Sequence, residues 1–253
     1  MWRRHFLQLT ALTTLATCSA RALPPSRARQ RAPIRAVAFD LFTIFDPRTI
    51  DRRVAEVVGG EANPFASTWK SRLFEYSWIH AVAARYRDFQ ALVDDSLTYA
   101  ARAHSVTLSR ANRERLAAAF TELDPWPDAR ASLHELRTRG LRLGPLANFA
   151  PSMIDALLRH ASMAELFDTQ ISTDAAQTYK PDPRAYALAE ARFDLPREQI
   201  AFAAFGGWDA AGATWFGFPT YWVNRLGVAE EELVAPQHSG LDLVHLARWL
   251  ATT

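Results

Sequence analysis

The sequence predicts an α/β fold, a parallel doubly wound sheet with a helical insertion, on three observations. Short apolar runs bounded by turn signals recur as IRAVAF (34–39), LRLGPLA (141–147), FDTQIS (167–172), IAFAAF (200–205) and PTYWV (219–223). Helical patterns separate the later runs, and alternation of strand with helix implies a parallel sheet. Residues 49–122 hold helical patterns and no convincing strand, so they read as a cap inserted between the first and second strands.

The elements follow in chain order. Residues 1–22 carry an arginine pair, an uncharged stretch from Phe6 to Ala20 and small residues at Ala20 and Ala22, the layout of a signal peptide, with RRHFLQ similar to a twin-arginine motif. The stretch is too short and threonine-rich for a stable membrane span. Export to the periplasm is the expectation, and a cytoplasmic protein with an arginine-rich tail is the alternative. Cys18 is the single cysteine, so a processed chain would hold no thiol. Residues 23–33 read as an extended linker, and the core is assigned to 34–48 and 123–253. Within the cap, a long helix at 63–86 places Trp69, Leu73, Tyr76 and Ala83 near one face. Pro127 and Asp128 open a helix that Gly140 closes, and residues 150–161 form another.

Composition excludes some functions. At 253 residues, 49% hydrophobic and 22% charged, the chain is a globular protein of one large domain or a core with an insertion. Seven arginines and no acid fall within the first 35 residues, which leaves 22 basic against 27 acidic residues beyond them. The folded part therefore lacks the basic surplus that nucleic acid demands. There is no G-x-S-x-G, G-x-G-x-x-G, P-loop or H-E-x-x-H, and the histidines show no ligand spacing.

In open parallel sheets ligands bind beyond the carboxyl ends of the strands. Asp40, Asn148 and the loop from Gly206 to Asp209 each follow a predicted strand, and Lys180 lies shortly after another. Lys70 and Lys180 are the two lysines in a chain that otherwise uses arginine, which suggests that a compact point charge matters at these positions.

The order FDLFTIFD (39–46), LANFAPSM (146–153), YKPDPRAY (179–186) and GWDAAGATWFGFPTYWVNR (207–225) resembles the haloacid dehalogenase superfamily and, within it, the L-2-haloacid dehalogenases, over residues 34–225. The resemblance implies a Rossmann-like core, a helical cap, a homodimer, no metal or other cofactor, and a small 2-halocarboxylate as substrate. It implies that Asp40 attacks C2, displaces halide and forms an ester that water hydrolyses. Lys180 would keep the carboxylate ionised, and Asp209 would orient Lys180 or the water, or else cap the following helix. Asn148 would donate its amide to the substrate carboxylate or halide, or serve only as a cap. Tyr186, Trp208 and Phe89 would line the pocket. Lys70 stands where the family has an anion-contacting arginine.

Several family residues are replaced. Thr43 would contact substrate, although the segment Asp40-Leu41-Phe42-Thr43 is one residue shorter than the family's Asp-x-Tyr-Gly-Thr. Ala147, Ala204 and Gly206 replace a serine, a serine and an asparagine. A catalytically degenerate anion-binding member is the alternative these changes raise. The superfamily's phosphatases need an acid at position 42, where this chain has phenylalanine, and an acidic cluster for magnesium.

Overall fold

The computed structural model describes residues 32–59 and 62–252. The expected signal peptide and nearly all of the expected linker lie outside these residues. A six-stranded sheet forms the centre, with every paired neighbour parallel. Its strands are β1 (Ala36–Phe39), β2 (Arg142–Ala147), β3 (Ile171–Ser172), β4 (Ile200–Ala204), β5 (Thr220–Val223) and β6 (His238–Gly240), in the spatial order β3-β2-β1-β4-β5-β6.

The pleat explains why the strands read as continuous apolar runs. Side chains alternate faces along a strand, so Val37 and Phe39 enter one buried cluster while Ala36 and Ala38 enter the other. Strand β4 splits likewise, Ala201 and Ala203 against Ile200, Phe202 and Ala204. Both faces of the sheet are covered, as a parallel sheet requires.

After β1 come α1 (Leu41–Ile44), α2 (Arg48–Val58), α3 (Ala62–Val82), α4 (Phe89–Ala103) and α5 (Arg110–Ala118). Trp69 and Leu73 on α3 are buried, and the Trp69 indole donates to Val93 O of α4 at 3.0 Å. Ala83, expected on the same face, is exposed and lies one residue past the helix end. Asp88 and Ser109 cap α4 and α5 through their side chains. Then follow α6 (Ala129–Thr138), α7 (Pro151–His160), α8 (Pro183–Phe193), α9 (Gly207–Phe216) and α10 (Leu243–Leu250). Gly140, at φ +80°, takes the left-handed conformation that ends α6 before β2. No helix among the described residues is long and apolar enough to cross a membrane.

Strand order reverses at β1, which lies between β2 and β4. The crevice at the carboxyl end of β1 is thus the topological switch point, where such sheets hold their ligands.

Candidate active site

Asp40 is the first residue past β1. Its backbone N–H still pairs with Ala203 O at 2.9 Å, so the sheet fixes its Cα, while its Oδ1 accepts from Phe42 N at 2.8 Å and caps α1. A capping acceptor suits this position, since the first N–H groups of a helix have no partner within it, but Ser, Thr or Asn would serve as well as Asp. Its other oxygen has a different task. Lys180 Nζ donates to Asp40 Oδ2 at 2.6 Å and to Asp209 Oδ2 at 2.7 Å, so one ammonium joins a carboxylate at the end of β1 to one in the first turn of α9, the helix after β4.

The three groups differ in access. Side-chain exposure is 1% for Lys180, 0% for Asp209 and 14% for Asp40, so of the trio only Asp40 can meet a ligand. Lys180 is further enclosed by Phe202, whose ring centroid is 5.2 Å from Nζ. Tyr186 donates to Asp209 Oδ1 at 2.7 Å. Gly212 allows this closeness, because a Cβ there would stand 2.5 Å from the tyrosine oxygen and 2.7 Å from Pro181 Cβ.

Burial opposes the charge on Lys180, but Asp209 and Asp40 outweigh it and raise its pKa. Burial is also the largest influence on Asp209 and pushes it up to about 6, with Asp40 adding to the effect and Lys180 countering it. The two ends of the pair do not mirror each other because a single cation is shared by two carboxylates. Tyr186 is held well above its usual range, first by burial and then by Asp209, so it remains a donor.

Asn148 follows β2. Its Oδ1 accepts from Lys180 N at 2.9 Å, an amide orientation dictated by the backbone donor, which leaves Nδ2 for the cavity that the residue lines. Capping does not explain it: the N-cap of α7 is Ala150, which makes no side-chain bond. Asp209 is likewise not the cap of α9, since Gly206 holds that position and Asp209 sits in the first turn.

Above Asp40 lies a cavity lined by Leu41, Phe42, Phe74, Phe89, Phe149 and Trp208, together with Ala147, Asn148 and Gly206. Phe89 stacks on Phe149 at 5.1 Å between centroids, and Trp208 meets Phe74 edge-on at 5.8 Å. Gly206 makes room for Trp208, because a Cβ there would lie 2.7 Å from the indole Nε1. Of these lining residues Phe74 and Phe89 come from the inserted helices.

Asp40, Asn148, Phe89 and Trp208 are thus brought to the cavity, with Lys180 and Asp209 directly behind Asp40. Tyr186, expected in the pocket wall, stands behind Asp209. Thr43, expected to contact substrate, is fully buried and turns its Oγ1 back to Asp40 O at 2.7 Å. Lys70 does not line the cavity: its ammonium lies 2.5 Å from Asp51 Oδ1 of α2, the carboxylate it meets first. Phe74 and Phe149 were missed by sequence reasoning. Phe74 is one helical turn beyond Lys70, and Phe149 directly follows Asn148, so adjacency to chosen residues was the available signal.

A family model for haloacid dehalogenase-like hydrolases matches residues 34–217. The chain belongs to the haloacid dehalogenase-like hydrolase family. It is 39% identical over 201 residues to an (S)-2-haloacid dehalogenase of Pseudomonas sp. (strain YL), covering 79% of this chain and 87% of that protein. Among solved structures it is similar to the L-2-haloacid dehalogenase RSc1362, at 36% identity and a TM-score of 0.85, covering 87% and 100% of the two chains. The enzyme of Xanthobacter autotrophicus with chloropropionic acid covalently bound aligns at 29% identity and a TM-score of 0.81, over 86% and 98% of the chains. This dehalogenase-like hydrolase thus keeps the family's six-stranded sheet and surrounding helices.

Proposed function

We propose that this hydrolase cleaves the carbon–halide bond of small L-2-haloacids through an aspartyl ester, without a metal. The observation that carries the reading is Asp40: a rigidly held carboxylate, neutralised from behind by Lys180 and presented to an aromatic-walled cavity. An Asp40 oxygen attacks C2 opposite the halogen, the new C–O bond forms as the C–X bond breaks, and X⁻ leaves with the bonding pair. Water then adds to the Asp40 carbonyl carbon, the hydroxy acid departs with one of the water's protons on its new hydroxyl, the other proton passes to solvent, and the carboxylate is restored.

The residues fit the separate demands of these steps. Displacement needs an ionised, poorly hydrated nucleophile, which an enclosed ammonium and aromatic walls provide. Halide requires no proton to leave, in keeping with Phe42 where a phosphatase needs an acid. Asn148 Nδ2 is the donor for the anion, and Asp209 with Tyr186 fixes Lys180. The relatives named as (S)-2-haloacid dehalogenases support this substrate class. The expected leader would place the chemistry in the periplasm, and the homodimer expected from the family stands beside it as a proposal; cell fractionation and light scattering test these two points.

Halide release from each enantiomer of 2-chloropropionate, measured without added metal, tests the reaction. Release from one enantiomer, lost in Asp40→Asn, is the expected result. In a single turnover in H₂¹⁸O, the label should enter the Asp40 peptide and not the hydroxy acid. Release that survives Asp40→Asn, or label found directly in product, would sink the ester mechanism. Binding of 2-chloropropionate with no covalent adduct at Asp40 would favour the anion-binding alternative.

A further inference from the structure

We propose that Arg225, together with Trp126, is a positioning residue for the nucleophile, acting on the backbone of the turn that holds Asp40. The proposal rests on the reading of Asp40 as nucleophile. Helix α1 is four residues long, and its last carbonyls have no partners within the helix apart from the bond from Phe45 N to Leu41 O. Two distant side chains supply them. Trp126 Nε1 donates to Phe42 O at 3.0 Å, and Arg225 donates to Thr43 O through Nε at 3.1 Å and Nη2 at 2.6 Å.

These are the residues whose other groups hold Asp40, one at its carboxylate and one at its backbone carbonyl. Phe42 N donates to Asp40 Oδ1, and Thr43 donates to Asp40 O through both its N, at 3.0 Å, and its Oγ1. A shift of either residue therefore turns Asp40 against Lys180 and the cavity. The clamp is itself anchored. Arg225 Nη1 donates to Asp128 Oδ1 at 2.6 Å, and Asp128 Oδ2 accepts from Leu243 N at 2.9 Å, which ties the turn to the start of α10. Two guanidinium groups also stand over the Trp126 ring, Arg225 Cζ 5.0 Å and Arg48 Cζ 4.9 Å from its centroid.

The choice of residue argues for precision. Arg225 has 4% side-chain exposure, and burying a guanidinium costs more than burying an apolar side chain of the same volume. A planar fork that bonds one carbonyl twice and a carboxylate once fixes that carbonyl in direction as well as distance. In a displacement at carbon a misplacement of about 1 Å costs on the order of 100-fold in rate.

The test uses the full chain as Trp126→Phe, Arg225→Lys and Arg225→Met. Halide release is measured below the lowest melting temperature of the set, with amide exchange of the peptide covering residues 40–46. The expected result is a fall in kcat of about 3- to 10-fold for Trp126→Phe and about 10- to 100-fold for Arg225→Met, with KM within about 2-fold. Arg225→Lys should recover part of the loss, and exchange should quicken at 40–46 and not in β2. If Arg225→Met fails to fold, the other two variants carry the comparison. Wild-type kcat in folded variants, or losses that merely follow melting temperature, would overturn the proposal. A wild type inactive on every haloacid tried would overturn the functional reading instead. The clamp would then stand or fall on whether protection of 40–46 is lost or unchanged.

Discussion

The two halves of the site are built on opposite principles. The core half gathers Asp40, Asn148, Lys180 and Asp209 from the segments that follow four strands into bonds of 2.6–2.9 Å. The half contributed by the inserted helices offers rings, Phe74 and Phe89, and its one nearby lysine is bound to Asp51. A fully partnered polar network in a dry interior has one arrangement and loses heavily in any other. Rings touching rings can slide. Reaction geometry thus belongs to the rigid half, and access and selection to the adaptable one.

The largest break in this contrast is Lys180→Met. It leaves two carboxylates buried beside each other without a cation, so stability should fall by about 3–5 kcal/mol, measured by urea unfolding. Halide release should fall by at least about 100-fold. A variant that kept wild-type turnover would show that the ammonium is structural only.

Asp209 gives a second test through pH. Burial, aided by Asp40, places it at about 6, above its ordinary value of 3.8. Between those pH values the native protein keeps a proton that the unfolded chain has released, so stability from this group is full at the acid end and is lost as pH rises through 6. The loss is on the order of 3 kcal/mol. Asp209→Asn should flatten the fall in unfolding midpoint between pH 4 and 7, and an unchanged slope would remove Asp209 as its source.

The same division explains what the sequence made legible. Strands β1 to β5 stand out because both their faces are buried. Strand β6 does not, since His238 and Ser239 are exposed and polar at the sheet edge. Helix α10 carries its signal, with Asp242 as cap and Leu243, Leu246 and Leu250 at helical spacing, but lies beyond the motifs of the resemblance. Asp40, Lys180 and Asp209 were readable because charged residues at strand ends need a reason. Phe74 and Phe149 were not, because apolar periodicity reports that a side chain is buried and not which cavity it faces. Arg225 was one arginine among many, and only its three hydrogen bonds to two acceptors single it out.

Phe74→Ala sharpens the contrast from the side of the inserted helices. Phe74 is only partly buried, so the stability cost should stay near 1–2 kcal/mol. Removing its ring enlarges the cavity above Asp40, and the ratio of kcat/KM for 2-chlorobutyrate over 2-chloropropionate should rise by about 10-fold, the usual worth of one methylene in an apolar pocket. An unchanged ratio would place the size limit on the core side, at Phe42 or Phe149.

The smallest expected effect decides whether the inserted helices contribute charge at all. Lys70 and Asp51 are both about one-third exposed, and such a pair is worth about 0.2–1 kcal/mol. If the ammonium stays with Asp51, Lys70→Met changes kcat/KM by less than about 5-fold, the rate equivalent of that energy. If substrate instead draws the ammonium from Asp51, Lys70→Met should raise KM by more than about 10-fold, while Asp51→Asn should lower it by freeing the lysine. The two variants must then move KM in opposite directions, and a pair acting only on the surface cannot produce that pattern. Comparing both variants on 2-chloropropionate therefore separates an aromatic lid from a lid that also carries the anion's counter-charge.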